Sequence, residues 1–338
     1  MSQQDIFLKL ADALNFPLSR YLPRIFEKLI TPLQGEMLLL LPATTKELAD
    51  SMKIDEGIIG EGLEDLVRKG LVIPRIKDKK TSYFFVRSTL QFHDSSGIYE
   101  PAGEEFQELW KQWRETEFYE LCREWERMPV PLMRVFPYPQ AVKNAFRMLP
   151  HEDLNAIIAG ARKIAVVKCV CRLLMKHCQR PLEVCMTFDA AADFALRRGV
   201  GKAIHADEAR EISRQCSQEG MVPSNLNGAR VTAMCFCCPD CCIFIQPQRQ
   251  YGYRLLAPSR YEAVVDSDTC NGCQSCGALC HFAAIQMEKS DSSESIRAVV
   301  RPEKCYGCGV CVVNCPVEAI TLKPARPPDY IPEFGPRY

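Results

Sequence analysis

Eight cysteines near the C-terminus are spaced for metal chemistry. Cys270, Cys273 and Cys276 are separated by two residues each, and Cys280 follows after three more. Cys305, Cys308, Cys311 and Cys315 repeat the spacing at an offset of 35 residues, and Pro316 completes the run. The flanks repeat as well: Val264-Val265 and Val299-Val300 precede the two sets, and Ala284-Ile285 and Ala319-Ile320 follow them. The segment reads as a duplicated unit of strand, ligand loop and short helix. Three thiolates two residues apart let one tight loop face three irons of a cube, while the fourth, beyond the loop, faces a second cube. Zinc sites do not call for this doubled spacing.

Nine further cysteines lie upstream in two sets. Cys169, Cys171, Cys178 and Cys185 form a C-x-C-x6-C-x6-C pattern with Arg172 and Pro181 inside it; Cys235, Cys237, Cys238, Cys241 and Cys242 stand in MCFCCPDCC. They can hold one or two further [4Fe–4S] clusters, a cluster and a zinc, zinc alone, or a redox-active dithiol. Adjacent cysteines such as Cys237-Cys238 do not easily reach one cube together, which favours shared ligation between neighbouring sites. Cys122 and Cys216 have no neighbours and read as ordinary buried residues.

Residues 258–323 resemble the two-cluster bacterial ferredoxins. Carried over residue by residue, the resemblance implies one [4Fe–4S] cluster on Cys270, Cys273, Cys276 and Cys315, and a second on Cys305, Cys308, Cys311 and Cys280. It departs from the family at His281, where a proline is usual; a histidine there could bond a sulfur or serve only as a turn residue. The whole chain also resembles a group of uncharacterised 4Fe–4S proteins of anaerobes. They share a winged-helix-like N-terminus, a C-x-C-R module (here Cys169 to Arg172), a CC-x-x-CC segment (here around Cys238 to Cys242) and a terminal two-cluster ferredoxin. That resemblance implies architecture and clusters, not a reaction.

The elements that must position these ligands read as an α+β multidomain chain. Residues 1–100 form a winged-helix-like domain: periodic segments Asp5–Leu14 and Tyr21–Ile30, a helix over Lys46–Met52, and a second over Glu56–Lys69 with Ile58, Ile59, Leu63 and Leu66 as its stripe. Strands over Leu71–Ile76 and Ser82–Val86 follow, around a Lys77–Lys80 tip. Residues 101–165 read as helical and rich in packing aromatics, interrupted by the proline-rich run Met128–Pro139. Residues 166–257 read as a helical, cysteine-rich module with an amphipathic helix over Ala206–Gly220. Residues 258–323 are the ferredoxin-like unit, with a mixed-charge linker Glu288–Arg297. The tail 324–338, with five prolines, reads as extended.

Composition narrows the function. The chain has 338 residues, 47% apolar and 25% charged, with a net charge of zero, so no global field favours nucleic acid or an anionic membrane. Its start lacks signal-peptide character, and its longest apolar stretch, Met37–Leu41, cannot span a bilayer, so a cytoplasmic protein without a membrane span is expected. Nineteen cysteines in such a setting read as metal ligands rather than disulfides. Residues 1–100 carry 13 Lys and Arg against 14 Asp and Glu, and the second helix carries Glu56, Glu61, Glu64 and Asp65, which would repel phosphates. DNA binding is therefore disfavoured against a docking role. Gly199-Val200-Gly201-Lys202 lacks the other glycines of a phosphate loop. The expected function is electron transfer through [4Fe–4S] clusters to a redox protein partner, such as a flavoprotein or metalloenzyme. An oxidoreductase with a substrate site in the upstream module and a redox-responsive winged-helix regulator are the alternatives.

Overall fold

The computed structural model describes residues 3–143, 148–289 and 296–335. The middle of the mixed-charge linker and the end of the proline-rich tail lie outside them.

The N-terminal part builds five helices and a hairpin: α1 (Gln3–Ala13), α2 (Leu22–Leu29), α3 (Pro32–Leu39), α4 (Thr45–Met52), α5 (Glu56–Lys69), β1 (Val72–Lys77) and β2 (Lys80–Phe85). Local signals set their ends. Thr44 and Glu47 form a capping box on α4; Asp55 accepts from the N–H groups of Gly57 and Ile58 at the start of α5; Gly70, at φ 82°, ends it. The buried stripe of α5 is Ile59, Leu63, Leu66 and Val67, whereas Ile58 faces solvent. β1 pairs antiparallel with β2 around Asp78 and Lys79, both at positive φ, as a type I′ turn requires.

The helices α6 (Thr89–Ser96), α7 (Gly103–Thr116) and α8 (Phe118–Glu126) follow. Their aromatics are core. Trp110 and Trp113 are fully buried and meet edge-on, and Phe92 stacks on Phe26 at 4.5 Å.

The rest of the chain's middle corrects the helical expectation. Seven strands form one sheet: β3 (Met133–Val135), β4 (Ile164–Lys168), β5 (Glu183–Phe188), β6 (Gly201–Ile204), β7 (Val222–Leu226), β8 (Ala233–Cys237) and β9 (Leu256–Ala257). Their order is β6-β4-β5-β8-β7-β3-β9, antiparallel except for the β3–β9 pair. The helices α9 (Leu154–Gly160), α10 (Val170–Met175), α11 (Ala190–Arg197), α12 (Ala206–Gln218) and α13 (Ile245–Tyr251) connect and cover it. The physical reason is an alternation disguised by cysteine. Val184, Met186 and Phe188 of β5 and Met234 and Phe236 of β8 are buried on one face, while Cys185, Cys235 and Cys237 take the positions between them. β3 belongs to the region read as helical, yet it joins the sheet.

The C-terminal unit comprises β10 (Tyr261–Val265), α14 (Ser275–Leu279), β11 (Ile285–Lys289), β12 (Ile296–Val300), α15 (Val310–Val313) and β13 (Ile320–Pro324). β10 pairs with β13 and β11 with β12, so each two-stranded sheet takes one strand from each repeat. The tail runs back over the body: Ala229 N–H donates to the Pro332 carbonyl, and Gly335 packs on Gly228.

Candidate metal centres

The crossed strands bring the two ligand loops face to face. Gly272 and Gly307 occupy equivalent places in the loops at φ 70° and 61°. A Cβ on Gly272 would stand 2.2 Å from the Ile296 carbonyl oxygen, and one on Gly307 2.0 Å from that of Tyr261. Each loop is thus pressed onto the first residue of the other repeat's leading strand, and only glycine fits. One cavity is lined by Cys270, Cys273, Cys276 and Cys315 together, so the fourth cysteine comes from the second repeat. Cys280 of the first repeat faces Cys305, Cys308 and Cys311. Burial pushes the Cys308 thiol up to about 12 and the Cys311 thiol well up, with Cys280 and Cys305 adding to both. Thiols that resist ionisation in isolation suit a centre whose metal charge offsets the thiolates. Backbone N–H groups point at the sulfurs: Ala263 to Cys305 at 3.4 Å, Ala284 to Cys280 and Ala319 to Cys315 at 3.3 Å. Such bonds stabilise charge on a ligand sulfur and set cluster potentials.

Among the described residues, His281 bonds to backbone. Its Nε2–H donates to the Gly220 carbonyl at 2.6 Å, and burial holds its pKa below the ordinary value. His281 thereby fastens the C-terminal unit to the turn between α12 and β7.

The nine upstream cysteines fall into two groups. Six form a closed ring of neighbouring thiols: Cys171 meets Cys169, which meets Cys185, then Cys235, Cys237, Cys242 and Cys171 again. The ring borders a cavity of about 300 Å³ whose other walls include Leu90, Asp94, Met133 and Phe244. Hydrogen bonds from Cys169 and Cys235 hold the Cys185 thiol well below its ordinary value. The other three, Cys178, Cys238 and Cys241, lie within 4.8 Å of one another. The segment Cys237-Cys238-Pro239-Asp240-Cys241-Cys242 therefore divides each adjacent pair: Cys237 and Cys242 go to the ring, Cys238 and Cys241 to the trio. Adjacent thiols in the chain therefore point into different groups. Cys122 and Cys216 are buried in the core, where burial pushes both thiols up to about 12.

Arg172 stands between the groups. It is buried, with one guanidinium nitrogen donating to the Phe236 carbonyl at 2.9 Å and its Nε and Nη2 without a hydrogen-bond partner. The surrounding thiols, Cys169, Cys185 and Cys238, raise its pKa against the effect of burial. Among the described residues no carboxylate pairs with this buried cation, which calls for another anion, and thiolates or an anionic cluster are the groups at hand.

Two residues emerge only in three dimensions. Tyr138 N–H donates to the carbonyl of Cys308 at 2.9 Å, and its ring stacks on Phe236, the residue between Cys235 and Cys237. Arg114, buried in α7, donates to the Cys241 carbonyl at 2.8 Å. Both are far from the cysteines in sequence, and no local pattern marks them.

Residues 269–319 match the family of 4Fe-4S dicluster domains. A search among curated proteins found no match. The C-terminal segment is a ferredoxin-like iron–sulfur domain with [4Fe–4S] as its cofactor. Among the described residues, no helix is long and apolar enough to cross a membrane.

Proposed function

We propose that this chain passes single electrons through two [4Fe–4S] clusters in the C-terminal unit to a third iron–sulfur centre in the six-thiol ring, and thence to or from a redox protein partner. The observation that carries this reading is the shared cavity of Cys270, Cys273, Cys276 and Cys315. Cys305, Cys308, Cys311 and Cys280 would hold the second cluster. [4Fe–4S] clusters supply one-electron chemistry. The protein's share is to place them, exclude water and donate N–H groups to the sulfurs. Cys273 is exposed, which makes the first centre the exchange port. Tyr138 and Phe236 lead from Cys308 to the ring. A flavoprotein or metalloenzyme would perform any two-electron step. A reducing, cytoplasmic setting fits a chain whose nineteen cysteines are all free thiols.

The winged-helix-like N-terminal region serves this centre structurally. Arg197 Nη2 donates to both carboxylate oxygens of Glu64 of α5 at 2.7 and 2.9 Å, and Arg198 donates to the carbonyls of Arg68 and Ser95. Leu90 and Asp94 of α6 wall the ring's cavity. An acidic α5 already engaged with α11 supports docking over entry into a DNA groove.

The test is the crossed ligation. Cys315→Ser should perturb the cluster bound by Cys270, Cys273 and Cys276, and Cys280→Ser the other, seen as loss of one reduced-state EPR signal and of its spin coupling. Perturbation of the cluster in the variant's own repeat instead would refute the assignment.

A further inference from the structure

We infer that Cys178, Cys238 and Cys241 form a mononuclear thiolate site for a thiophilic divalent ion, zinc above all, distinct from any iron–sulfur centre. The Cys178 sulfur lies 3.8 Å from the sulfurs of both Cys238 and Cys241. Four thiolates around one zinc, at bonds of about 2.3 Å, stand about 3.8 Å apart along each tetrahedral edge. Ligands of a cube stand further apart, because each binds a different iron. Cys238-Pro239-Asp240-Cys241 is the C-x2-C half of a zinc site, and Cys178 comes from the loop after α10.

The surroundings suit several thiolates on one divalent ion. Arg180 pairs with Asp240 at 2.6 Å and reaches Cys178, while Arg172 reaches Cys238. The N–H of His177 points to Cys241. These donors offset the excess negative charge of the thiolates and hold them in place. Cys171 packs against the trio from the ring side, where a fourth ligand would enter. Donors directed at Cys178 and Cys241, the Arg172 charge beside Cys238, and metal-ligand spacing distinguish this trio from a chance meeting of cysteines.

Such an ion would staple the loop between α10 and β5 to the turn after β8. That staple would reinforce the β5–β8 pairing that sets the first cysteine set opposite Cys235, Cys237 and Cys242. The site's role is structural, and it stands whether or not the ring holds a cluster.

Metal content of the full chain, purified without oxygen, tests the inference. Wild type should carry one zinc per chain. Cys178 is only partly buried and lies in a loop, so Cys178→Ser should fold, lose that zinc and keep its iron. Zinc-edge X-ray absorption of wild type, which depends on no variant, should show three or four sulfurs at about 2.3 Å and no iron neighbour. Absence of zinc from wild type, zinc retained in Cys178→Ser, or a loss of about four irons in that variant would each overturn it. A chain that bound zinc but no iron would keep this inference and sink the electron-transfer reading.

Discussion

Replacing Gly307 by alanine tests how the two halves of the ferredoxin unit hold each other. The backbone there sits at φ 61°, which costs a residue with a Cβ about 1–2 kcal/mol. The new methyl would also stand 2.0 Å from the Tyr261 carbonyl oxygen. That oxygen belongs to β10, whose pairing with β13 leaves it little room, so overpacking adds about 1–3 kcal/mol. Gly252 is the control: its φ is 75°, but a Cβ would meet nothing within 4 Å. Gly252→Ala should therefore cost about 1–2 kcal/mol, and Gly307→Ala about 2–5 kcal/mol. At about 2 °C per kcal/mol for a chain of this size, the apparent midpoints should fall by about 2–4 °C and 4–10 °C. The assay is anaerobic thermal unfolding at one fixed scan rate, with iron counted per chain. Gly307→Ala should also lose iron from the cluster assigned to Cys305, Cys308, Cys311 and Cys280. Equal midpoints and full iron in both variants would show that the loop does not press on β10.

Three other outcomes follow from the same contacts. Glu152→Ala strands Arg260, which now pairs with it at 2.8 Å with both side chains buried, so chemical denaturation should show a loss of about 3–5 kcal/mol. His281→Pro restores the ferredoxin-like turn but breaks the bond to Gly220; iron content should stay full while stability falls by about 0.5–1.5 kcal/mol by the same assay. Tyr138→Leu should leave iron content intact and slow electron arrival at the ring centre, measured by rapid-freeze EPR after reduction; an unchanged rate would place the route elsewhere.

What the sequence disclosed was local. The Glu56–Lys69 helix is legible because Asp55, Gly70 and an apolar stripe all lie within it, and the hairpin because its turn and strands are contiguous. The ferredoxin loops are legible because ligand spacing and flanks occur twice. The central sheet is not, because its partners are distant in the chain: β5 meets β8 across some fifty residues, and β3 arrives from the region of the packing aromatics. Cysteine on the opposite face of β5 and β8, turned to the cavity, hid the period of two. The partition of the nine upstream cysteines was equally hidden. It depends on β8 turning Cys235 and Cys237 to one face while the following turn swings Cys238 and Cys241 away. Arg172 stood beside a cysteine in the sequence, but its unpartnered nitrogens among thiols required the fold.

The central claim is most directly tested by a reductive titration of the anaerobically purified chain, with iron and acid-labile sulfide counted and EPR recorded at each step. The account predicts about twelve irons per chain: two spin-coupled clusters in the C-terminal unit and a third centre that exchanges electrons with them. Fewer than about eight irons, or clusters that take up no electrons, would contradict it.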